Sequence, residues 1–420
     1  MVLSLDSLKR GYLLLALIYY CAFLNFASNL FGPGQAEDML NYNAGGNLPR
    51  QLMGVMLFGL GGYLFWRMRH LEGPFRFTGG IWWLLLIGYF CLSISWSYEP
   101  DISFRRVIAF STLVLAAYVL VQSFEPVSLM RFFANAVGVA ALIGLLLLLV
   151  SPSLVSVGGG LREHAFVGIF ADKNAGARAY AYAVLILVGL GHFRTGTERT
   201  LLAVLLLALV LSRSATAAVI LLAGLMMVAL LAYLRTYRPQ VNFHRLVMIS
   251  ALLLLGGLVC FYLYDVLLGL LGRDPTLTNR VVIWELMDDY VAEEPTFGYG
   301  FGAFWASSAV ADFVDRWGYI GNAHSGYYEA LLHGGIAGLG LVVALVGTSL
   351  FNAARAYIYH PQGLLFAPLI SILILQLMVN YVAFVIINHN SFDMFLFALI
   401  SFTAVRYVGE LRQYRFKEVL

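Results

Sequence analysis

Charge is what this chain has least of. Asp, Glu, Lys and Arg make up 12% of its 420 residues, while 61% are hydrophobic and the mean hydropathy is +0.82. A soluble globular chain carries roughly 25% charged residues, so the scarcity excludes that class and points to a polytopic membrane protein. Cysteine is scarcer still. Cys21, Cys91 and Cys260 each sit inside an apolar run and can build neither a disulfide framework nor a metal cluster. His, Asp and Glu show no metal-ligand spacing, so neither a metal site nor a cofactor is expected. A formal charge of +3 is too small to imply nucleic acid. No inner motif for hydrolysing a nucleotide exists. The run Gly298-Tyr299-Gly300-Phe301-Gly302 follows a proline turn and not a strand, which removes it as a nucleotide loop. Tandem repeats and low-complexity blocks are absent.

Apolar runs are what the chain has in plenty. Stretches of spanning length fall near 11–31, 49–66, 81–97, 107–122, 133–151, 174–191, 200–212, 215–234, 245–264, 334–352, 364–386 and 393–408. The first has no small-residue cleavage site after it and is long enough to span, so it reads as a retained helix and not a signal peptide. The pattern predicts an all-α polytopic membrane protein of about 12 transmembrane helices. Lys and Arg set the orientation. With the N-terminus inside, inner segments hold 16 of the 26 basic residues and outer segments 9, with Arg178 inside a span. Both termini are therefore expected in the cytoplasm. Helices 1–9 with an outer loop at 152–173 would fill 1–264, an external helical segment 265–333, and three further helices with a cytoplasmic tail 334–420.

Polar chemistry crowds into the outer segments. Asp172-Lys173-Asn174 stands at the head of the span 174–191, where free N–H groups and about half a positive charge accumulate. Asp172 or Asn174 would cap that helix. Arg178 lies one turn further on, on the same face. These residues make an anion site of the helix-terminus type; the plainer reading is a snorkelling lysine and an arginine paired with a buried acid. Arg280 follows Thr278 or Asn279 as cap and opens a helix carrying Val281, Trp284, Met287 and Val291 on its apolar face. Such a helix can lie on the membrane surface with Trp284 as its anchor, leaving Arg280 to grip a phosphate bidentately or to pair with Asp288 or Asp289. His324 is placed in the first turn of a short helix with Asn322 as cap, Tyr328 one turn later, and Glu329 one turn before His333. A histidine there can take a proton from a hydroxyl nucleophile, and neighbouring tyrosines offer sugars a stacking face. Arg213 sits in a tight outer turn, Ser212-Arg213-Ser214, and Asn388-His389-Asn390 forms another.

In order along the chain, Arg162 ahead of Gly168-Ile169-Phe170-Ala171-Asp172-Lys173-Asn174, Asn279-Arg280 with Trp284, Pro295 with Gly298-Tyr299-Gly300-Phe301-Gly302, and His324 with Glu329 and Gly334-Gly335-Ile336-Ala337-Gly338 resemble the O-antigen ligase and polysaccharide polymerase superfamily. The Gly-Tyr-Gly-Phe-Gly-Ala-Phe-Trp run and the His-x-Gly-Tyr pattern are most similar to its ExoQ-like exopolysaccharide polymerases. The resemblance implies a metal-independent glycosyltransferase of GT-C architecture in the bacterial inner membrane, with its active site facing the periplasm. Its donor would be a glycan on undecaprenyl pyrophosphate and its acceptor another glycan. Membrane lipids, a chain-length regulator and a flippase would be its partners. Arg162 and Arg280 would then hold the donor pyrophosphate and His324 would activate the acceptor hydroxyl. Lys173, Asn174, Arg178, Arg213 and Tyr328 are expected to contribute to substrate binding. The chain departs from the family at Ser325, where asparagine is usual, and at Asp172, where histidine is common. The implied function is polymerisation of lipid-linked repeat units into exopolysaccharide or O-antigen. A ligase moving glycan to lipid A-core is the alternative within the family, and a transporter of lipid-linked oligosaccharide the alternative outside it.

Overall fold

The computed structural model describes residues 4–24, 26–27, 48–72, 80–157, 164–191, 193–236, 280–318 and 320–417. Among them the regular structure is helical, with a single isolated bridge between Ser156 and Phe166. Eleven of the twelve predicted apolar runs fall on helices: α1 (Leu5–Tyr20), α2 (Leu48–Glu72), α3 (Ile81–Ser93), α4 (Pro100–Ser123), α5 (Pro126–Val150), α6 (Lys173–Gly189), α7 (Gly196–Leu211), α8 (Ala215–Thr236), α11 (Gly326–Tyr359), α12 (Phe366–Asn380) and α13 (Phe392–Lys417). The twelfth, 245–264, lies outside the described residues. Six helices, α4, α5, α8, α11, α12 with its preceding turn, and α13, are long and apolar enough to cross a membrane by length and composition. Between α8 and α11 the described residues add α9 (Arg280–Glu293) and α10 (Ala311–Trp317).

Each helix packs according to how its apolar residues are distributed. In α6 nearly every side chain from Lys173 to Leu187 is buried, because the helix is wrapped by α5, α7, α8 and α12. On the other side α13 fills the space between α4, α11 and α12. Trp83 of α3 packs there against Phe110, Phe397 and Phe402 and donates its indole N–H to Ser401 Oγ at 3.1 Å, satisfying the one polar atom it buries. A second, separate core forms between α9, α10 and the start of α11 from Met287, Tyr299, Phe304, Trp305, Val310, Phe313, Ala323 and Leu332.

The two cores meet at a break in α11. Gly335 has φ 60 and ψ −161, a conformation open almost solely to glycine, and it interrupts a helix of 34 residues. The predicted span start at 334 therefore marks this kink, and the helix itself begins at Gly326. A break frees backbone groups that lipid could not satisfy. The 295–299 turn claims them: Ile336 N–H donates to Pro295 C=O at 2.8 Å, Ala337 N–H to Thr296 C=O at 3.3 Å, and Tyr299 N–H to Leu332 C=O at 2.8 Å. Tyr89 of α3 adds its hydroxyl to Gly334 C=O at 2.5 Å.

The glycine-aromatic run continues the join. Tyr299 and Phe301 are buried, and Phe301 stacks on Phe90 with ring centres 4.0 Å apart. Phe301 N–H donates to Ser93 Oγ at 3.2 Å, Ser103 Oγ to Phe301 C=O at 3.0 Å, and Arg106 Nη1 to Gly302 C=O at 2.6 Å. Arg106, a positive residue on the side the charge bias disfavours, thus has a structural task.

Gly335→Ala is expected to cost on the order of 2–4 kcal/mol, because the new Cβ would strike the Thr296 carbonyl in a backbone region closed to alanine. Thermal unfolding of the detergent-solubilised protein should show an earlier transition; an unchanged melting curve would mean the kink does not carry this weight.

Candidate functional site

One end of the bundle encloses a cavity of about 1310 Å³. Its wall is built where α1 and α12 finish and α2, α6, α8, α9 and α13 begin, with the segments before α6 and α11 completing it. Every contributing segment is one that the Lys and Arg bias puts on the outer side.

Four of the residues expected from sequence line this cavity: Asn174, Arg178, Arg280 and His324. Arg280 is the first residue of α9 and half-buried. His324 is held not in a helix but just before one. Ser325 is the N-cap of α11, and His324 has φ 51, a left-handed conformation that costs a residue with a Cβ about 1–2 kcal/mol. Asn322 caps the turn, its Oδ1 accepting the His324 N–H at 2.9 Å. Burial, and after it the Arg280 charge, push His324 below the ordinary histidine range; Glu329 and Asp172 pull weakly the other way. Both leading effects favour the neutral imidazole, the form that can accept a proton.

The helix-terminus anion site takes a different form from the one expected. Asp172 is the cap of α6, and its Oδ1 accepts the N–H groups of Asn174 and Ala175, both at 2.9 Å. A carboxylate thus already occupies the positive end of the helix. Arg178, 8% exposed, forms a fork with Asp393: Nη2 lies 2.9 Å from Oδ2 and Nε 3.2 Å from Oδ1. Both partners line the cavity, and the buried-acid pairing weighed from sequence is the one the fold adopts. Asn174 Oδ1 accepts from Ser214 Oγ at 3.1 Å, joining the heads of α6 and α8.

Other expected residues stand apart from the wall. Lys173 is buried in the first turn of α6, Arg213 is exposed in a left-handed turn at φ 49, and Tyr328 packs parallel to Trp284 with its hydroxyl on Asp288 at 2.8 Å. None of the three lines the cavity. Arg162 lies outside the described residues. Trp284 faces protein and not a bilayer: it is 7% exposed, rests against Tyr328 and Tyr381, and donates its indole N–H to Ala323 C=O at 3.0 Å.

Arg50 is a lining residue the motifs do not reveal. Its Nη2 donates to Asn390 C=O at 3.2 Å and its guanidinium lies 5.6 Å from the centre of the Tyr19 ring. The available signal was its sign, since it is a basic residue at the head of a span on the side the charge bias disfavours. Asn388, Asn390 and Ser391 add amides and a hydroxyl from the turn before α13, and Phe26, Phe170, Phe384 and Phe392 add apolar surface. The cavity can thus hold an anionic group and a polyhydroxylated one, with an apolar portion alongside.

Residues 200–343 match the family described as O-antigen ligase. The matched stretch runs from α7 into α11 and contains Arg213, Arg280, His324, Glu329 and the Gly335 kink, while Asp172, Arg178 and Asp393 lie outside it. The chain is also 25% identical over 296 residues to the exopolysaccharide production protein ExoQ of Rhizobium meliloti (strain 1021). The match spans 67% of this chain and 66% of that relative, just under two thirds of its length.

Arg178→Ala leaves Asp393 as a buried unpaired charge and is expected to destabilise by about 3–5 kcal/mol. Adding Asp393→Asn should return most of that loss in a thermal unfolding assay. Additive losses in the double variant would contradict a dominant pairing role for Arg178.

Proposed function

We propose that this protein is a metal-independent glycosyltransferase working at the periplasmic face of a bacterial inner membrane. It polymerises oligosaccharide repeat units carried on undecaprenyl pyrophosphate into exopolysaccharide or O-antigen. The observation that carries this reading is that Arg280 and His324 share one large cavity at the end of the bundle favoured as external. The O-antigen ligase match and the likeness to ExoQ support the substrate class.

In the reaction the acceptor hydroxyl oxygen attacks the anomeric carbon of the donor. The bond from that carbon to the pyrophosphate oxygen breaks, and undecaprenyl pyrophosphate departs with the electron pair. Negative charge grows on the leaving oxygen, where a fixed guanidinium stabilises it without reorganising. His324 removes the proton of the attacking hydroxyl. Arg280 supplies the positive charge in this reading, with Arg162 proposed beside it from the sequence resemblance alone. Arg178 is proposed to keep the wall in place while its charge is shared with Asp393. The buried apolar surface beside these groups suits the first isoprene units of the carrier.

A second reading, transfer of finished glycan onto lipid A-core, is favoured by the family description of residues 200–343. Gel analysis of a deletion strain separates the two. Loss of long chains with single repeats retained means polymerase; intact lipid-linked polymer that never reaches lipid A means ligase. A transporter would place its substrate-binding groups near the midplane between repeats, whereas the cavity residues named here lie at one end of the bundle.

With purified protein and a lipid-linked repeat unit, His324→Ala is expected to slow chain extension by roughly 10²–10⁴-fold and Arg280→Ala by roughly 10²–10³-fold, both variants remaining folded. Wild-type-length polymer from either would refute the assignment. The base must be neutral, so the rate should be full above the His324 pKa and fall as pH drops through it. Because burial and Arg280 lower that pKa, the acid limb is expected below 6.5. A limb above 7 would contradict the assignment of His324.

A further inference from the structure

Glu329 is among the most deeply buried acids of the described residues, 1% exposed in the first turn of α11. Its Oε1 accepts the Ala323 N–H at 2.6 Å and the Trp305 indole N–H at 2.8 Å. Its Oε2 lies 3.1 Å from His333 Nε2, one turn along the same helix. Burying a carboxylate is costly unless donors surround it, and here three do. Two of those donors belong to the protein's framework. The other is the backbone of the residue immediately before His324.

Ala323 is gripped from the opposite direction as well. Its carbonyl accepts the Trp284 indole N–H at 3.0 Å, and the next N–H, that of His324, goes to Asn322 Oδ1 at 2.9 Å. The Ala323–His324 peptide therefore has both polar groups held, and the Ala323 N–H is held too. This matters because His324 sits at φ 51, which a non-glycine residue leaves unless its surroundings hold it there.

We propose that Glu329 is a positioning residue: through Ala323, and opposed by Trp284, its carboxylate locks the backbone of His324 so that the imidazole meets the acceptor hydroxyl in the cavity. This role rests on His324 acting as the base. A carboxylate suits it because a carboxylate only accepts, and all three neighbours present N–H groups. Glutamine in its place could keep the Ala323 and Trp305 bonds but would turn an amide N–H₂ toward His333 Nε2. Glu329 touches neither substrate nor reacting atoms, so its effect should appear in turnover and not in donor binding.

The test uses the full-length protein in detergent with an undecaprenyl-pyrophosphate-linked repeat unit as substrate, reading kcat and KM separately. Glu329→Ala is expected to lower kcat by roughly 10–100-fold with KM within threefold. Glu329→Gln should fall between wild type and Glu329→Ala. Trp284→Phe, which removes only the N–H on the other side of Ala323, should lower kcat by roughly 3–10-fold with KM again steady, and serves if Glu329→Ala does not fold. In a His324→Ala background none of these changes should slow the enzyme further, because residues acting as one unit are not additive. A Glu329→Ala or Trp284→Phe enzyme within twofold of wild type, a loss that lies in KM, or additional slowing in the His324→Ala background would overturn the role. A His324→Ala enzyme at the wild-type rate would overturn the base reading and this role together. An impaired His324→Ala with an unaffected Glu329→Ala overturns this role alone.

Discussion

The break in α11 at Gly335 is the constraint on which the candidate site depends. An uninterrupted helix would satisfy its own backbone groups and offer none of them to the 295–299 turn. By releasing the N–H groups of Ile336 and Ala337 and the carbonyl of Leu332, the kink gives the 295–299 turn a place to dock. A lone backbone hydrogen bond contributes only about 0.5–1.5 kcal/mol net, but an unsatisfied group costs about 1–3 kcal/mol, and more where no water can reach it. Docking is therefore enforced more by the penalty for its absence than by its own strength. It brings α9 against the first turns of α11 and sets Arg280 and His324 on one wall.

Burial and polarity are balanced differently at the two sides of the cavity. On the α6 and α13 side, charges cancel: Asp172 occupies the helix end, and Arg178 is forked to Asp393. On the α9 and α11 side, Arg280 and His324 line the cavity together, and burial plus the Arg280 charge favour the neutral imidazole. In the proposed reaction a donor diphosphate would meet Arg280 beside His324 in this space, with Arg50 also on the cavity wall.

Much of the architecture was legible in the chain itself. Apolar runs of spanning length fall on helices because such segments can satisfy their backbone only internally, and the cap of α6 was narrowed to Asp172 or Asn174, of which the fold uses Asp172. The spacing of Glu329 and His333 foretold their contact, since residues four apart share a helix face. Partners across the fold were not legible. Asp393 lies 215 residues from Arg178, and nothing local distinguishes it. His324 looked helical because Asn322 is a good cap, whereas the competing Glu329–Ala323 bond holds it outside the helix. The glycine-aromatic run, discarded as a nucleotide loop, turned out to be the wedge between two cores, a role visible only once Ser93, Ser103 and Arg106 are seen against it.

A structure of the protein with undecaprenyl pyrophosphate bound tests the central claim most directly. The account predicts a diphosphate in the cavity against Arg280, with the His324 imidazole facing the space beyond its terminal phosphate and the isoprenoid chain leaving along the phenylalanine-lined side. A diphosphate seated elsewhere on the molecule, with the cavity wall of Arg280 and His324 untouched, would contradict it.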